Sequence, residues 1–317
     1  MAAVPRLEPA STPAKRQMTR AERRQALEGY LFISPWFIGF VLLVAGPMAF
    51  AVYLSLCSWT GLAEVKFIGL DNFRLLLRDD SFWNSLRVTA YYTFLTVPLS
   101  LVLGLGLAML LNQRIVALAW FRTAFYLPSI TSTVAVAVIW WTLFNVDFGL
   151  VNTILGWFGI EPIPWLVSGK WVIPALVIMS LWGVGGSMVI YLAGLQGIPT
   201  ELYEAAEIDG ASGVAKFQAV TVPMLSPVIL FNLIMGIIGS FQVFTNAWVM
   251  TRGGPGGASR FLVLYIYENA WQFMRMGYAA ALSWVLFFIV LGFTLLVFRL
   301  TGRYVYYAGA QEGARRW

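Results

Sequence analysis

Long apolar segments alternate with short polar ones along this chain. Six apolar segments follow one another, and each has the length of about 20 residues that an α-helix needs to cross the hydrocarbon core of a bilayer. The pattern predicts an all-α membrane protein with six transmembrane helices. We place the spans at residues 30–59, 88–111, 123–144, 171–195, 223–250 and 278–298.

The polar segments define the predicted organisation. A basic tail over residues 1–29 precedes the transmembrane domain at 30–300, and a second tail covers 301–317. The first outer loop, residues 61–86, has the mixed charge of a loop that carries a short amphipathic helix. In the second outer loop, residues 145–170, we expect interface anchors at Trp157, Phe158 and Trp165.

Charge orients this arrangement and composition excludes several functions. With six spans, 13 of the 21 Lys and Arg residues lie on the side of the two termini, which predicts that both termini are cytoplasmic. The chain has no histidine, one cysteine and no phosphate-binding P-loop, so we expect no catalytic residues and no metal site. The net charge of +6 does not indicate nucleic-acid binding, because the basic residues crowd the two ends.

The most informative polar stretch is Pro199–Pro227, which separates the fourth and fifth spans on the inner side. Its pattern predicts a short helix capped by Thr200, a turn at Gly210, and a second helix capped by Ser212. Pro223 suits the first turn of the next span. From these residues alone, an ordinary solvated loop and a docking element are both open.

The order of residues in this stretch resembles the EAA coupling motif of the permease subunits of binding-protein-dependent ABC importers. That motif is a cytoplasmic helix-turn-helix that sits in a groove of the ATPase subunit. A second resemblance, to the sugar permeases of the family, lies at Gly253-Gly254-Pro255 and in the runs 265–267 and 277–282. The coupling residues that the resemblance implies are Glu204, Ala205, Ala206, Asp209, Gly210, Phe217 and Pro223.

The resemblance implies a type I importer permease fold and a set of partners. These are a second, related permease, two copies of an ATPase subunit and an extracytoplasmic solute-binding protein. ATP and Mg would bind to the ATPase, so this chain itself would carry no cofactor. It would lie in the cytoplasmic membrane of a bacterium or archaeon, with the coupling helices at residues 199–223.

The fifth span carries a polar stripe. At about 100° per residue its asparagines and glycines fall near one direction, with Ser240 and Gln242 at the edges. The stripe fits either a helix-packing seam or the lining of a path, and we favour the path because buried amides are costly without polar partners. The candidate path residues are Asn232, Gly236, Ser240, Gln242 and Asn246.

No ionisable side chain lies within any span as drawn, which argues against ion-coupled carriers and indicates a neutral substrate. With the resemblance, this predicts the permease half of an ATP-driven importer of a sugar or oligosaccharide. Import of glycerol 3-phosphate or another polyol derivative is the alternative within the family. An ion-coupled secondary carrier and a non-transporting membrane scaffold are the alternatives outside it.

Overall fold

The computed structural model describes residues 19–62, 64–113 and 116–302, and this part of the chain is mostly helical. It forms two compact units, of which the first ends at Tyr53 and the second begins at Leu54. Most of the two predicted tails, and Arg114 in the first inner loop, lie outside the described residues.

The elements are named here in chain order. One two-stranded antiparallel sheet is present among the described residues, and it pairs Cys57 with Phe67 and Ser58 with Lys66. Π-helical turns occupy Val41–Ala45, Phe217–Thr221 and Glu268–Gln272. The other elements are α1 (Arg20–Phe40), α2 (Gly46–Ser55), β1 (Cys57–Ser58), β2 (Lys66–Phe67), α3 (Asp71–Leu77), α4 (Asp80–Leu111), α5 (Leu118–Ile130), α6 (Thr133–Leu143), α7 (Leu150–Trp157), α8 (Val172–Trp182), α9 (Gly185–Gln196), α10 (Thr200–Ile208), α11 (Gly213–Lys216), α12 (Val222–Phe241), α13 (Thr245–Met250), α14 (Leu262–Tyr267) and α15 (Met276–Thr301).

The first helical segment begins earlier than its apolar pattern predicts. Thr19 and Glu22 form a capping box, in which the Thr19 hydroxyl accepts from the Glu22 amide at 3.3 Å and the Glu22 carboxylate accepts from the Thr19 amide at 2.7 Å. Hydrogen bonds therefore start the helix ten residues before Tyr30, where hydrophobicity begins. Its large apolar side chains are exposed in the described chain, as expected for a helix that lies in a membrane.

In the described part of the chain, up to six helical segments have the length and composition to cross a membrane when each broken pair counts as one crossing, in agreement with the predicted number. Four helical segments are long and apolar enough to cross a membrane unaided, at residues 20–55, 80–111, 213–250 and 276–301. The other two crossings are broken pairs: α5 and α6 meet at 98°, and α8 and α9 meet at 47°.

The helices do not match the predicted span limits, which followed hydrophobicity. The first helical segment ends at Ser55, and β1 occupies Cys57–Ser58 within the span that was predicted to reach Trp59. The second span starts at Asp80 rather than Val88, and the third at Leu118 rather than Thr123. Arg122 therefore lies inside α5, where its guanidinium donates to the Leu111 carbonyl at the end of α4 at 3.0 Å. A cation is favourable at this negative end of a helix.

The core of the second unit forms where α4 packs along α8, α9 and α12. Small residues bring these helices close together. A Cβ added at Gly194 would stand 2.8 Å from the Leu225 side chain, and one added at Gly104 would stand 2.7 Å from the Ser187 hydroxyl. Substitutions at these glycines therefore require the neighbouring side chains to shift.

The outer loops are more ordered than simple connectors. The predicted amphipathic helix in the first loop is confirmed as α3, and the buried Asn72 at its start donates to the Ser55 and Cys57 carbonyls, each at 2.9 Å. In the second loop the prediction for Trp165 is wrong. This ring is buried, with 6% exposed, because it packs against the rings of Phe144 and Trp171, and its indole N–H donates to the Asn152 side-chain oxygen at 2.9 Å.

Candidate functional site

The inner segment that the sequence singles out, residues 199–223, forms an elbow. Helix α10 ends in a Schellman cap: the Gly210 amide donates to Glu207 O at 3.0 Å, and the Ala211 amide donates to Ala206 O at 2.8 Å. Gly210 has φ +76°, a left-handed conformation that glycine adopts without strain. The predicted turn at Gly210 is confirmed, and it sets a fixed change of direction.

Of the two predicted helix caps in the elbow, one is confirmed and the other is wrong. Ser212 accepts from the Ala215 amide at 3.3 Å, which confirms it as the cap of α11. Thr200 is the first helical residue rather than the cap, because Pro199 occupies the capping position and fixes an extended entry to the helix. Pro223 lies in the first turn of α12, as predicted.

The exposed surface of the elbow carries carboxylates and apolar side chains side by side. Glu204 and Ala205 are exposed, while Ala206 is half-buried. Ile208 is 87% exposed and Val214 is 67% exposed, although both are large apolar residues. Apolar side chains beside small alanines and acidic groups form a surface that suits close docking of a basic partner. Of the remaining implied coupling residues, Asp209 is exposed and Phe217 is half-buried.

We call α10 the first arm of the elbow, and the segment from α11 to the start of α12 the second arm. An ion pair joins these two arms. The Lys216 ammonium of α11 donates to the Glu207 carboxylate of α10 at 2.6 Å. This hydrogen bond and the charge of Lys216 lower the pKa of Glu207. Neither helix is long enough to be stable alone, and an exposed ion pair contributes little to stability, so the elbow also depends on its other contacts.

The polar stripe of the fifth span does not form one continuous face. Helix α12 ends at Phe241 and α13 starts at Thr245, so residues 242–244 interrupt the helical periodicity. The prediction that Asn246 lies on the same helix face as Asn232 is therefore wrong, because it assumed an unbroken helix.

The first part of the stripe packs against other helices. Asn232 is buried and donates to Val228 O at 2.9 Å, and buried Ser240 donates to Ile237 O at 2.9 Å. A Cβ added at Gly236 would lie 3.4 Å from Val97 on α4. These three positions have the contacts of a packing seam, and a path role for them stays a prediction.

The second part of the stripe leads to a cavity. Asn246 borders an open cavity of about 240 Å³ whose other walls come from the α5–α6 and α8–α9 breaks. Three interrupted helices therefore meet at one place. Irregular backbone at membrane depth is tolerated where it lines a cavity. The lining comprises Pro128, Ser129, Thr131, Thr133, Val136, Met179, Ser180, Trp182, Gly183 and Asn246.

The cavity lining presents mainly hydrogen-bond acceptors. The hydroxyls of Ser129 and Thr131 donate to Tyr126 O at 2.7 Å and Leu127 O at 3.0 Å, which leaves their oxygen lone pairs available. The Ser180 hydroxyl donates to Val177 O at 2.7 Å and also interacts with the Tyr92 hydroxyl. The Asn246 side-chain oxygen is buried and has no hydrogen-bond partner. None of the lining residues is charged, and Trp182 contributes an aromatic ring. Gln242, the last path candidate, is exposed.

The fit between the broken spans depends on Gly185. A Cβ added there would lie 2.0 Å from the Phe125 carbonyl oxygen of α5, whereas one added at Gly186 would have 3.8 Å to its nearest neighbour. The fourth span has glycines at positions 183, 185 and 186. Of these, Gly185 lies so close to the backbone of α5 that no larger residue fits without a backbone shift. Only the neighbouring backbone reveals which of the three glycines is constrained in this way.

Sequence reasoning missed a polar clamp in the second unit, formed by Asp79, Tyr265 and Tyr278. The Asp79 carboxylate caps α4 and accepts hydrogen bonds from the hydroxyls of Tyr265 and, at 2.6 Å, Tyr278. Burial alone would raise the pKa of Asp79, but these hydrogen bonds and those from the Ser81 and Phe82 backbone outweigh it and lower the pKa. Nearly 200 residues separate Asp79 from the two tyrosines, so no local sequence pattern predicts this contact.

Among the described residues, no three His, Cys, Asp or Glu side chains are grouped so that they could hold a metal ion. The elbow exposes carboxylates and apolar side chains, and the cavity is lined by uncharged residues.

Comparisons with known proteins agree with this architecture. Residues 97–305 match the family described as binding-protein-dependent transport system inner membrane component. The chain is 40% identical over 299 residues to the probable ABC transporter permease protein YesP of Bacillus subtilis, with 93% of this chain and 96% of that protein covered. It is 35% identical over 288 residues to the trehalose/maltose transport system permease protein MalF of Thermococcus litoralis, with 90% and 97% covered.

A solved structure shows the same fold. A chain in the crystal structure of a bacterial alginate ABC transporter, in complex with an alginate pentasaccharide-bound periplasmic protein, superimposes with a TM-score of 0.78 at 23% identity, covering 89% of this chain and 96% of that chain. The six crossings, the family match and the extensive identity to curated permeases lead to one conclusion. The chain belongs to the inner-membrane permease components of binding-protein-dependent ABC transport systems.

Proposed function

We propose that this permease forms half of the translocation path of an ATP-driven importer for a neutral sugar or oligosaccharide. The observation that carries the proposal is the uncharged, hydroxyl-lined cavity at which three interrupted helices meet. Sugar hydroxyls are hydrogen-bond donors as well as acceptors, so free lone pairs on serine, threonine and asparagine oxygens complement them. The ring of Trp182 offers a surface for the apolar face of a sugar.

The absence of charge in the cavity lining favours a neutral ligand over a phosphorylated one. A phosphate group that leaves water needs cationic or multiple N–H partners, and the lining residues offer neither arginine nor lysine. Glycerol 3-phosphate is therefore the less suited substrate. The trehalose/maltose permease of Thermococcus litoralis and the lactose permease LacF of Rhizobium radiobacter, 35% identical over 284 residues, support the assignment to sugars.

The elbow is the proposed attachment site of an ATPase subunit. The resemblance implies Glu204, Ala205 and Gly210 as coupling residues, and they lie on an exposed and sharply turned surface. ATP and Mg would bind to that separate subunit, and this chain would hydrolyse nothing. One elbow per permease matches one ATPase per permease, so the assembly would contain two ATPases and a second, related permease.

The proposed orientation follows from the same assignment. The elbow and both termini would face the cytoplasm, where ATP is, and the clamp at Asp79 would face an extracytoplasmic binding protein that delivers the sugar. The alginate transporter structure, which contains a ligand-bound periplasmic protein, supports a partner of this kind.

The test is uptake by proteoliposomes that contain the permease pair, the ATPase and the binding protein. Neutral disaccharides and oligosaccharides are compared with glycerol 3-phosphate and uronate oligomers, each with and without ATP. We expect ATP-dependent uptake of neutral sugars alone. Uptake driven by an ion gradient without nucleotide, or a preference for anionic solutes, would contradict the proposal.

A matched pair of variants tests whether the cavity is the path. Asn246→Ala removes the unpaired acceptor, and we expect uptake from saturating, sugar-loaded binding protein to fall about tenfold, the effect of losing one good hydrogen bond. Asn232→Ala removes an amide that is already bonded within its own helix. Uptake should stay within about twofold of the parent there. Equal effects of the two substitutions would refute the placement of the path at the cavity.

A further inference from the structure

Two side-chain contacts join the arms of the elbow, and only one of them is shielded from water. The exposed contact is the ion pair between Glu207 and Lys216. The shielded contact is a hydrogen bond of 3.0 Å between the hydroxyls of Tyr203 on α10 and Thr221 at the start of the fifth span. Thr221 is buried, with 5% exposed, and the Tyr203 ring is half-buried.

The positions of these four residues match the geometry of the two arms. Tyr203 and Glu207 are four residues apart on α10, so they lie on one face. Lys216 and Thr221 are five residues apart, and in an α-helix they would diverge by about 140°. The π-helical turn Phe217–Thr221 holds one more residue per turn, which brings positions five apart back toward a common face. The turn thereby allows both contacts to form at once.

The hydroxyl pair lies where the elbow meets the membrane core. Tyr203 packs against the buried cluster that includes Leu195 and Ile198 at the end of the fourth span and Leu225 in the fifth. Apart from this edge, no helix in the described part of the chain packs extensively along α10. The helix thus has one shielded polar contact through which a displacement can reach the fifth span directly.

The other connection between α10 and the fifth span runs along the chain itself, and it deforms more easily. Without the hydroxyl bond, α10 connects to the fifth span through the turn at Gly210, the four-residue helix α11 and the π-helical turn. Π-helical turns are rare and occur often at functional sites, and α11 is too short to be stable by itself. The exposed ion pair adds little to this route, because water and salt screen it.

We propose that the Tyr203–Thr221 hydroxyl pair is a latch that couples movement of the elbow to the fifth span, and that both are positioning residues for transport. The latch rests on the proposed function, since it needs an ATPase that moves the elbow. When the latch is closed, α10 and the start of α12 move as one body, and the displacement reaches the helix that leads to the cavity. When it is absent, the elbow moves while part of the displacement is absorbed in the π-helical turn.

The test uses substitutions that remove a hydroxyl and keep the packing. Tyr203→Phe, Thr221→Val and the double variant are assembled with the second permease, the ATPase and the binding protein. Three quantities are measured: retention of the ATPase, ATP hydrolysed in the presence of sugar-loaded binding protein, and sugar imported. Tyr30→Phe, at an exposed tyrosine of α1, is the matched control.

We expect both single variants to retain the ATPase and its hydrolysis while sugar imported per ATP falls about fivefold, the effect of one neutral hydrogen bond. The double variant should equal the singles, because both lose the same bond. A merely destabilising change would lower assembly and hydrolysis along with import and leave the ratio unchanged. An unchanged ratio, or effects that add in the double variant, would overturn the latch.

The same experiment distinguishes failure of the proposed function from failure of the latch alone. If the parent protein neither retains an ATPase nor imports sugar with ATP, the function is wrong and the latch falls with it. If the parent does both and the Tyr203→Phe ratio equals that of Tyr30→Phe, only the latch is wrong.

Discussion

The turn of the elbow can be tested by one substitution whose cost follows from backbone geometry. Gly210 has φ +76°, and a Cβ added there would meet nothing within 4 Å. The penalty of Gly210→Val is therefore conformational and not steric. A left-handed conformation costs an L-residue roughly 1–2 kcal/mol, and a β-branched side chain lies at the upper end of that range. About 2 kcal/mol corresponds to a roughly 30-fold loss of the native turn.

The structure supplies two controls for this substitution. Gly213→Val adds the same side chain three residues away, where the space is also open and the backbone is helical, so we expect little effect. Gly210→Asn keeps a residue type that tolerates the left-handed region, and it should cost less than about 1 kcal/mol.

The assay is co-purification of the ATPase with the permease, titrated over ATPase concentration, with membrane insertion measured in parallel. Gly210→Val should weaken association about 30-fold at unchanged insertion, while Gly213→Val and Gly210→Asn stay near the parent. Equal losses for Gly210→Val and Gly213→Val would refute the reasoning, because added bulk on the docking face and not turn geometry would then be responsible.

The other predictions concern the membrane core and the clamp at Asp79. Gly185→Ala should prevent the close approach of the broken spans and lower the yield of folded protein severely in gel filtration, whereas Gly186→Ala should be tolerated; equal yields would contradict the packing. For the clamp, the lowered pKa of Asp79 means that its contribution to stability is complete above the unfolded value of about 3.8 and is lost as pH falls through the folded pKa below it. The thermal unfolding midpoint of the parent should therefore drop in that acidic range, and Asp79→Asn should remove this part of the pH dependence; an identical drop in the variant would contradict the assignment.

The interruptions of the helices explain why the candidate path was only partly predictable. The residues that break the third and fourth spans, such as Pro128 and Gly183, are visible in the sequence. Whether they cause a kink, a close contact or a cavity depends on which neighbour faces them. Asn246 was selected as a path residue on a projection that the break at residues 242–244 invalidates, and it nevertheless borders the cavity.

The amino-acid sequence determined the features that depend on local chemistry. Hydrophobic length set the number of crossings, and Gly210 and Ser212 marked the turn and cap of the elbow, because each acts within a few residues of chain. Tertiary structure decided what depends on distant partners: the bends of the third and fourth spans, the place of Gly185 against Phe125, and the meeting of Asp79 with its two tyrosines. Such contacts bring together residues that are far apart in the chain, and their energy depends on the final packing, which no local pattern encodes.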